Sequence, residues 1–334
     1  MRSRSALLYV LAAALIVALP WLGRGYLSFV LCTVAVHFIV ALALNLLVAQ
    51  AGQISIGHAA FWALGAYGTA VLVTKLNLPF LVGVLGGGVI AGLLGALVAI
   101  PALRLRGHYL AIATLGFALF VQQILHEWEG LTGGRAGMSV PRPELAGYEL
   151  STDFQYYYFL VAVCAVLAWM SRNLARSRTG RALMALRMSA TAAASCGIDR
   201  TRNLIVVFAL SAFLTGISGA LYAHLVGYLS VSTFTLGTSL SFLTMIVVGG
   251  VGRLSGALAG AVFLTLAPEY LREFGDAQMV LYGIILVAVM LFLPGGIVSL
   301  PQRLGAAAGW RTAASARSGG LAGRLLGMTP RGPR

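Results

Sequence analysis

Apolar residues run along this chain in blocks close to the ~20 residues needed to cross a bilayer, and short polar breaks separate the blocks. The pattern predicts spans at Ala6 to Leu22, Tyr26 to Val48, Ile54 to Thr74, Phe80 to Leu103 and Tyr109 to Leu125. A second set follows at Gln155 to Ser171, Leu204 to Val226, Thr238 to Val251, Ser255 to Leu271 and Met279 to Leu300. The runs are uninterrupted and lack the alternation of a barrel strand, and in hydrocarbon every backbone polar group must be paired internally. The predicted fold class is therefore all-α, a polytopic integral membrane helical bundle. The eighth and ninth runs are short or broken by Gly252, Arg253 and Pro268, which leaves eight to ten spans and room for a re-entrant hairpin. Five spans in each half would make any repeat inverted. Ser55-Ile56-Gly57-His58-Ala59-Ala60-Phe61 weakly echoes Thr235-Leu236-Gly237-Thr238-Ser239-Leu240-Ser241-Phe242.

Composition supports this layout. The chain is 59% hydrophobic and 10% charged, against about 25% charged in soluble domains. Its 41 glycines include Gly83 to Gly88 and Gly249-Gly250-Val251-Gly252, which allow helix backbones to approach closely. The expected organisation is a transmembrane domain over 1-303 and a disordered basic cytoplasmic tail over 304-334. Arg2 and Arg4 ahead of Ala6 resemble a signal peptide, but with so many spans following, this segment is read as an uncleaved first helix.

A net charge of +14 raises the question of nucleic acid, and the positions of the charges answer it. With the N-terminus inside, Arg2, Arg4, Arg104, Arg106, the arginines from 172 to 202, Arg253 and the tail arginines all fall on the cytoplasmic side. Only Arg24, Lys75, Arg135, Arg142 and Arg272 fall outside. Of nine acidic residues only Asp199 is cytoplasmic, and none sits at a span centre. The basic excess thus reads as membrane topology against a lipid bilayer, with no nucleic acid partner and with both termini cytoplasmic.

Chemistry-bearing residues are few. Cys32 and Cys164 lie in apolar runs and Cys196 in a basic loop, without metal-ligand spacing. No HExxH helix, GxSxG turn or paired carboxylate lies at bilayer depth, so no catalytic residue and no metal site is assigned. The only lysine is Lys75, so no GxxxxGK[ST] phosphate loop exists and any ATP must be held by another chain. The absence of acids within the membrane argues against an ion-coupled secondary transporter, the alternative reading together with a facilitator.

Candidate pathway residues are Gln53, Ser55 and His58, where Gly52 and Gly57 could open the third span, and Thr235, Thr238, Ser239, Ser241 and Thr244 in the echoing stretch. The competing reading for all of them is helix-to-helix hydrogen bonding, which is also the reading taken for Asn45, Thr114, Gln122 and Gln123. His37 and His224 read as packed, neutral side chains. The long internal loop, 172-203, predicts two short helices, with good helix formers from Ala182 to Ser195 and a stop at Gly197. Such helices either dock on a cytoplasmic partner or rest on lipid.

Several ordered motifs carry a family resemblance: Ala41-Leu42-Ala43-Leu44-Asn45-Leu46-Leu47, Gly52-Gln53-Ile54-Ser55-Ile56-Gly57-His58-Ala59-Ala60-Phe61, Tyr109 to Gly116, Leu131-Thr132-Gly133-Gly134, Ser211-Ala212-Phe213, Gly219 to Ala223 and Pro294-Gly295-Gly296-Ile297. From Ala41 to Leu300 the chain resembles the LivM-type permeases of branched-chain amino acid ABC transporters. The resemblance implies a bacterial inner-membrane importer in which this chain pairs with a second permease subunit as a heterodimer. It further implies two ATP-binding subunits and a periplasmic substrate-binding protein. No cofactor is expected in this chain, ATP and Mg lying on the ATPase subunits. The coupling element implied is Gly180, Arg181, Arg187 and Gly197. One departure stands out: Met188, Ser189, Ala190 and Thr191 follow Arg187 where the family has an acidic or amide-rich segment, which puts the charge pairing to the ATPase in question.

Overall fold

The computed structural model describes residues 19–21, 25–102, 108–145, 147–293 and 295–299. Apart from Leu19–Trp21, the predicted first span lies outside the described residues, as do Arg104, Arg106 and the tail. The apolar runs become helices α1 (Tyr26–Ala51), α2 (His58–Thr74), α3 (Phe80–Ala102), α4 (His108–Glu127) and α5 (Asp153–Arg176). The internal loop forms α6 (Arg178–Met188) and α7 (Ala190–Ser195). The second half contributes α8 (Arg200–Val226), α9 (Leu236–Gly249), α10 (Leu254–Tyr270) and α11 (Gln278–Phe292). Among the described residues, seven stretches are long and apolar enough to cross a membrane, and α2 and α11 are shorter, with 17 and 15 residues. The chain is a multi-pass helical membrane bundle, as the apolar pattern predicted.

Among the described residues, strands lie in the long loop opposite the arginine-rich end and directly after α8. β1 (Met138–Ser139) pairs antiparallel with β4 (Tyr228–Leu229), and β2 (Glu144–Leu145) with β3 (Tyr148–Glu149). The first pairing ties that loop to the end of α8.

Three helix boundaries depart from the expectation. The third span starts at His58 rather than Ile54, because Gly52 ends α1 in the left-handed conformation (φ +64) and the next five residues are not helical. The tenth ends at Phe292, before a turn at Gly296 (φ +76). The run Ala182 to Ser195 breaks at Ser189, whose backbone is extended and whose hydroxyl accepts the Ala192 N–H at 3.2 Å, capping α7.

Helix α1 is the axis of the bundle, buried along most of its length and packed on α5, α8 and α10. Helices α2, α3 and α8 approach so closely that a Cβ on Gly65 would overlap the Gly216 carbonyl oxygen, and one on Gly219 the Trp62 carbonyl oxygen. Glycine thus brings these backbones into direct contact, where lipid supplies no hydrophobic drive for association. The ends of α1, α5 and α9 and the starts of α8 and α10 gather at the arginine-rich end.

Candidate functional site

The polar centre of the bundle is built where α2 begins. Beyond Gly52, the Gln53 amide donates to the Ala51 carbonyl (3.2 Å) and the Ile56 N–H donates to Thr114 Oγ1 (3.0 Å). A Cβ on Gly57 would stand 2.7 Å from the Thr114 carbonyl oxygen, so only glycine lets this strand of chain lie against α4. His58 then meets Ser211 of α8 (Nε2 to Oγ, 2.9 Å), and the Ser211 hydroxyl donates to the Ala43 carbonyl (2.7 Å). Ala43 lies eight residues before the end of α1, about 12 Å at 1.5 Å per residue. The start of α2 is therefore bonded to α1 about 12 Å inside that helix's end rather than level with it.

Proton positions in this chain follow from the acceptors. A carbonyl cannot donate, so Ser211 spends its hydrogen on Ala43 and His58 must carry its own on Nε2. Nδ1 is then an acceptor, and Ser55 donates to it across 3.0 Å while accepting the Gly57 N–H at 3.3 Å. The imidazole is 1% exposed and has a hydrogen-bond partner at both nitrogens.

Helix α9 approaches the same centre from the opposite end of the bundle. The chain leaves β4, passes a 3₁₀ turn at Val231–Thr233 and becomes helical at Leu236. Ser239 accepts the Ala59 N–H at 3.1 Å, so the first turns of α2 and α9 touch. Trp62 packs among Tyr222, Phe234 and Phe242, with ring centroids 4.4, 5.0 and 5.3 Å away. Thr235 and Thr238 bond locally, Oγ1 to Oγ1 at 3.4 Å, and Thr238 donates to the Thr233 carbonyl at 2.8 Å. Ser241 is half-buried on α9, and Thr244 donates back to the Leu240 carbonyl at 2.7 Å.

Of the eight expected pathway residues, Ser55, His58 and Ser239 thus form one centre. Gln53 stands below it toward the arginine-rich end, and the threonines line the α9 side. Ser211 and Thr114 complete the centre without having been singled out for it, although each is a hydroxyl in an apolar run. No group of three or more metal-ligating side chains exists among the described residues.

A second assembly lies at the arginine-rich end. Gly180 is buried where a Cβ would overlap the Leu174 and Ala175 carbonyls, which brings α6 tight against the end of α5. Leu183 and Leu186 bury against the bundle, while Met184 and Met188 are 47% and 85% exposed. Arg181 donates to the Arg176 carbonyl at 2.7 Å. Arg187 donates to the Ala49 carbonyl of α1 and lies over Gly52, so its charge is engaged within the chain. Gly197 (φ +77) follows α7 as the predicted stop.

Comparison with known proteins agrees with this architecture. The family model described as branched-chain amino acid transport system / permease component matches residues 26–293. The high-affinity branched-chain amino acid transport system permease protein LivM of Salmonella typhimurium is 32% identical over 319 residues, covering 87% of this chain and 75% of the relative; the Escherichia coli LivM gives the same figures. The corresponding LivH of Escherichia coli is 24% identical over 80% of this chain and 92% of its own length. No solved structure matches. With its membrane-length helices, a broken-helix centre and a match of this extent, the chain belongs to the permease component family of branched-chain amino acid transport systems.

Proposed function

We propose that this chain is the membrane-spanning permease subunit of an ATP-driven importer of branched-chain amino acids, paired with a second permease, two ATP-binding subunits and a periplasmic substrate-binding protein. The observation that carries the reading is the α6–α7 assembly: Leu183, Leu186 and Arg187 face the bundle, while Met184 and Met188 face away from it. The arginine-rich end lies in the cytoplasm, where basic residues are retained. ATP and Mg belong to the ATPase subunits, which grip the exposed side of α6. Motion of α6 reaches α1 through Arg187 and from there the Gly52 break that leads into α2. At the centre, the positive dipole ends of two helix starts favour the carboxylate of a passing amino acid.

The test is a pair of substitutions on the outward side of α6, Met184→Asp with Met188→Asp. These should reduce recovery of the ATPase subunits with the detergent-solubilised permease at least tenfold and leave its insertion unchanged. An intact complex purified from that variant would overturn the docking role.

A further inference from the structure

A glycine inside a membrane helix lets a second backbone come close, and in α2, α3, α8 and α10 each one does so: a Cβ there would stand within 3.3 Å of an atom of another element. Two mid-helix glycines break this rule. Gly116 of α4 and Gly283 of α11 are exposed, and a Cβ on either would meet nothing within 4 Å. Apart from proline, glycine is the residue least suited to a helix interior, and against lipid tails it returns nothing for that cost. The outward side of α3 is built differently. It carries Leu85, Val89, Leu93 and Leu97, and all six glycines of that helix turn inward.

Both open glycines sit in open apolar stripes. Helical spacing puts Tyr109, Ile112, Leu119 and Phe120 on the face of Gly116, and Met279, Val280, Val287 and Leu291 on the face of Gly283, all between 51% and 85% exposed. The stripe on α11 borders a groove of about 500 Å³, and α11 itself has no buried residue. Helix α9 packs against both α4 and α11, and its Ser239 joins them to the polar centre. At roughly 100 Å² left open on each, the eight side chains offer about 800 Å², which is what one partner contributes to a standard interface. We propose that the second permease subunit covers the α4–α11 side of the bundle, its apolar helices crossing this chain at Gly116 and Gly283. The identity of the partner rests on the permease reading above; the place of contact rests on the two open glycines and the stripes around them.

The test is recovery of the second permease through an affinity tag on this chain, from detergent-solubilised membranes in which all subunits of the transporter are co-expressed. Gly116→Leu combined with Gly283→Leu should reduce that recovery at least tenfold, and the corresponding alanine pair should reduce it less. Val89→Phe, which adds bulk to the outward side of α3, should leave it unchanged. Expressed without the other subunits, the leucine pair should insert, elute as a single symmetrical species and melt no lower than the unaltered chain, since no atom of this chain stands in the way. Full recovery of the partner by the leucine pair would assign these faces to lipid and overturn the surface. A lower melting temperature of the leucine pair expressed alone would mean that the chain covers these faces itself, and an equal loss from Val89→Phe would mean that the effect is not particular to them; either result overturns it. Recovery of a differently tagged copy of this chain in place of the second permease would overturn the occupant. If the leucine pair keeps its partner and the complex still takes up branched-chain amino acids, the surface falls and the permease reading stands. An unaltered complex that takes up none removes the permease reading, and the partner with it.

Discussion

Helices α2 and α9 both start inside the bundle after a stretch of non-helical chain, yet they are secured in opposite ways. The start of α2 is buried and bonded to other helices: Ile56 to α4, His58 to α8, and through Ser211 to α1. The start of α9 is partly open, with Leu236 and Leu240 36% and 45% exposed, and its threonines bond to their own neighbourhood. One half of the centre is a fixed wall and the other a loosely held one. A gate needs both, because only the less stabilised element can rearrange at low cost.

The most forceful way to break this contrast is to place the same methyl group on each side. Gly219→Ala sets a Cβ into the Trp62 carbonyl, where backbone meets backbone and neither rotamer change nor side-chain relief is available. Overpacking of this kind costs about 1–3 kcal/mol or more, and a large drop in detergent melting temperature is expected. On the α9 side, a Cβ on Gly237 would stand 3.5 Å from Thr235 Oγ1, an ordinary contact. Gly237→Ala should be neutral or stabilising by up to ~1 kcal/mol through helix propensity. Equal losses from the two substitutions would remove the distinction between wall and gate.

A smaller effect is expected from the side chains themselves. His58→Leu deletes two hydrogen bonds, each worth about 0.6–2 kcal/mol within a membrane, so a loss of roughly 1–4 kcal/mol should appear in denaturant titration. Thr238→Val removes only two local bonds near a helix start, to Thr233 and Thr235, and about 1 kcal/mol is the upper expectation. A Thr238→Val protein as unstable as His58→Leu would mean that the α9 threonines anchor the fold.

Much of this was legible in the chain. The apolar runs gave eight of the predicted spans to within about five residues at both ends and the tenth with its end eight residues short, because a bilayer imposes one length and one pattern on every crossing. The glycine runs at 83 to 88 and 249 to 252 announced close packing, although not which backbones they join, and the contacts at Gly65, Gly216 and Gly219 were not singled out. What stayed hidden is tertiary. The sequence showed Ser55 and His58 three residues apart, but nothing local indicates that His58 reaches Ser211, 153 positions away, or that Thr114 receives the Ile56 N–H. Arg187 read as a charge for a partner chain, yet its guanidinium turns inward to Ala49, a choice set by how α6 lies on α1.

The single hydrogen bond across the centre gives the finest test. Ser239 Oγ accepts the Ala59 N–H at 3.1 Å, joining the wall to the gate. Ser239→Ala removes an acceptor from a buried N–H in the first turn of α2, at a cost of about 1 kcal/mol. Because the bond spans the two elements, its loss should lower transport by more than its share of stability, whereas Ser239→Thr, which keeps a hydroxyl at the same position, should restore most of the uptake. The measurement is leucine uptake into proteoliposomes set beside the melting temperature of each variant. If Ser239→Ala transports like the unaltered chain, α2 and α9 move independently, and the contact between them is incidental to gating.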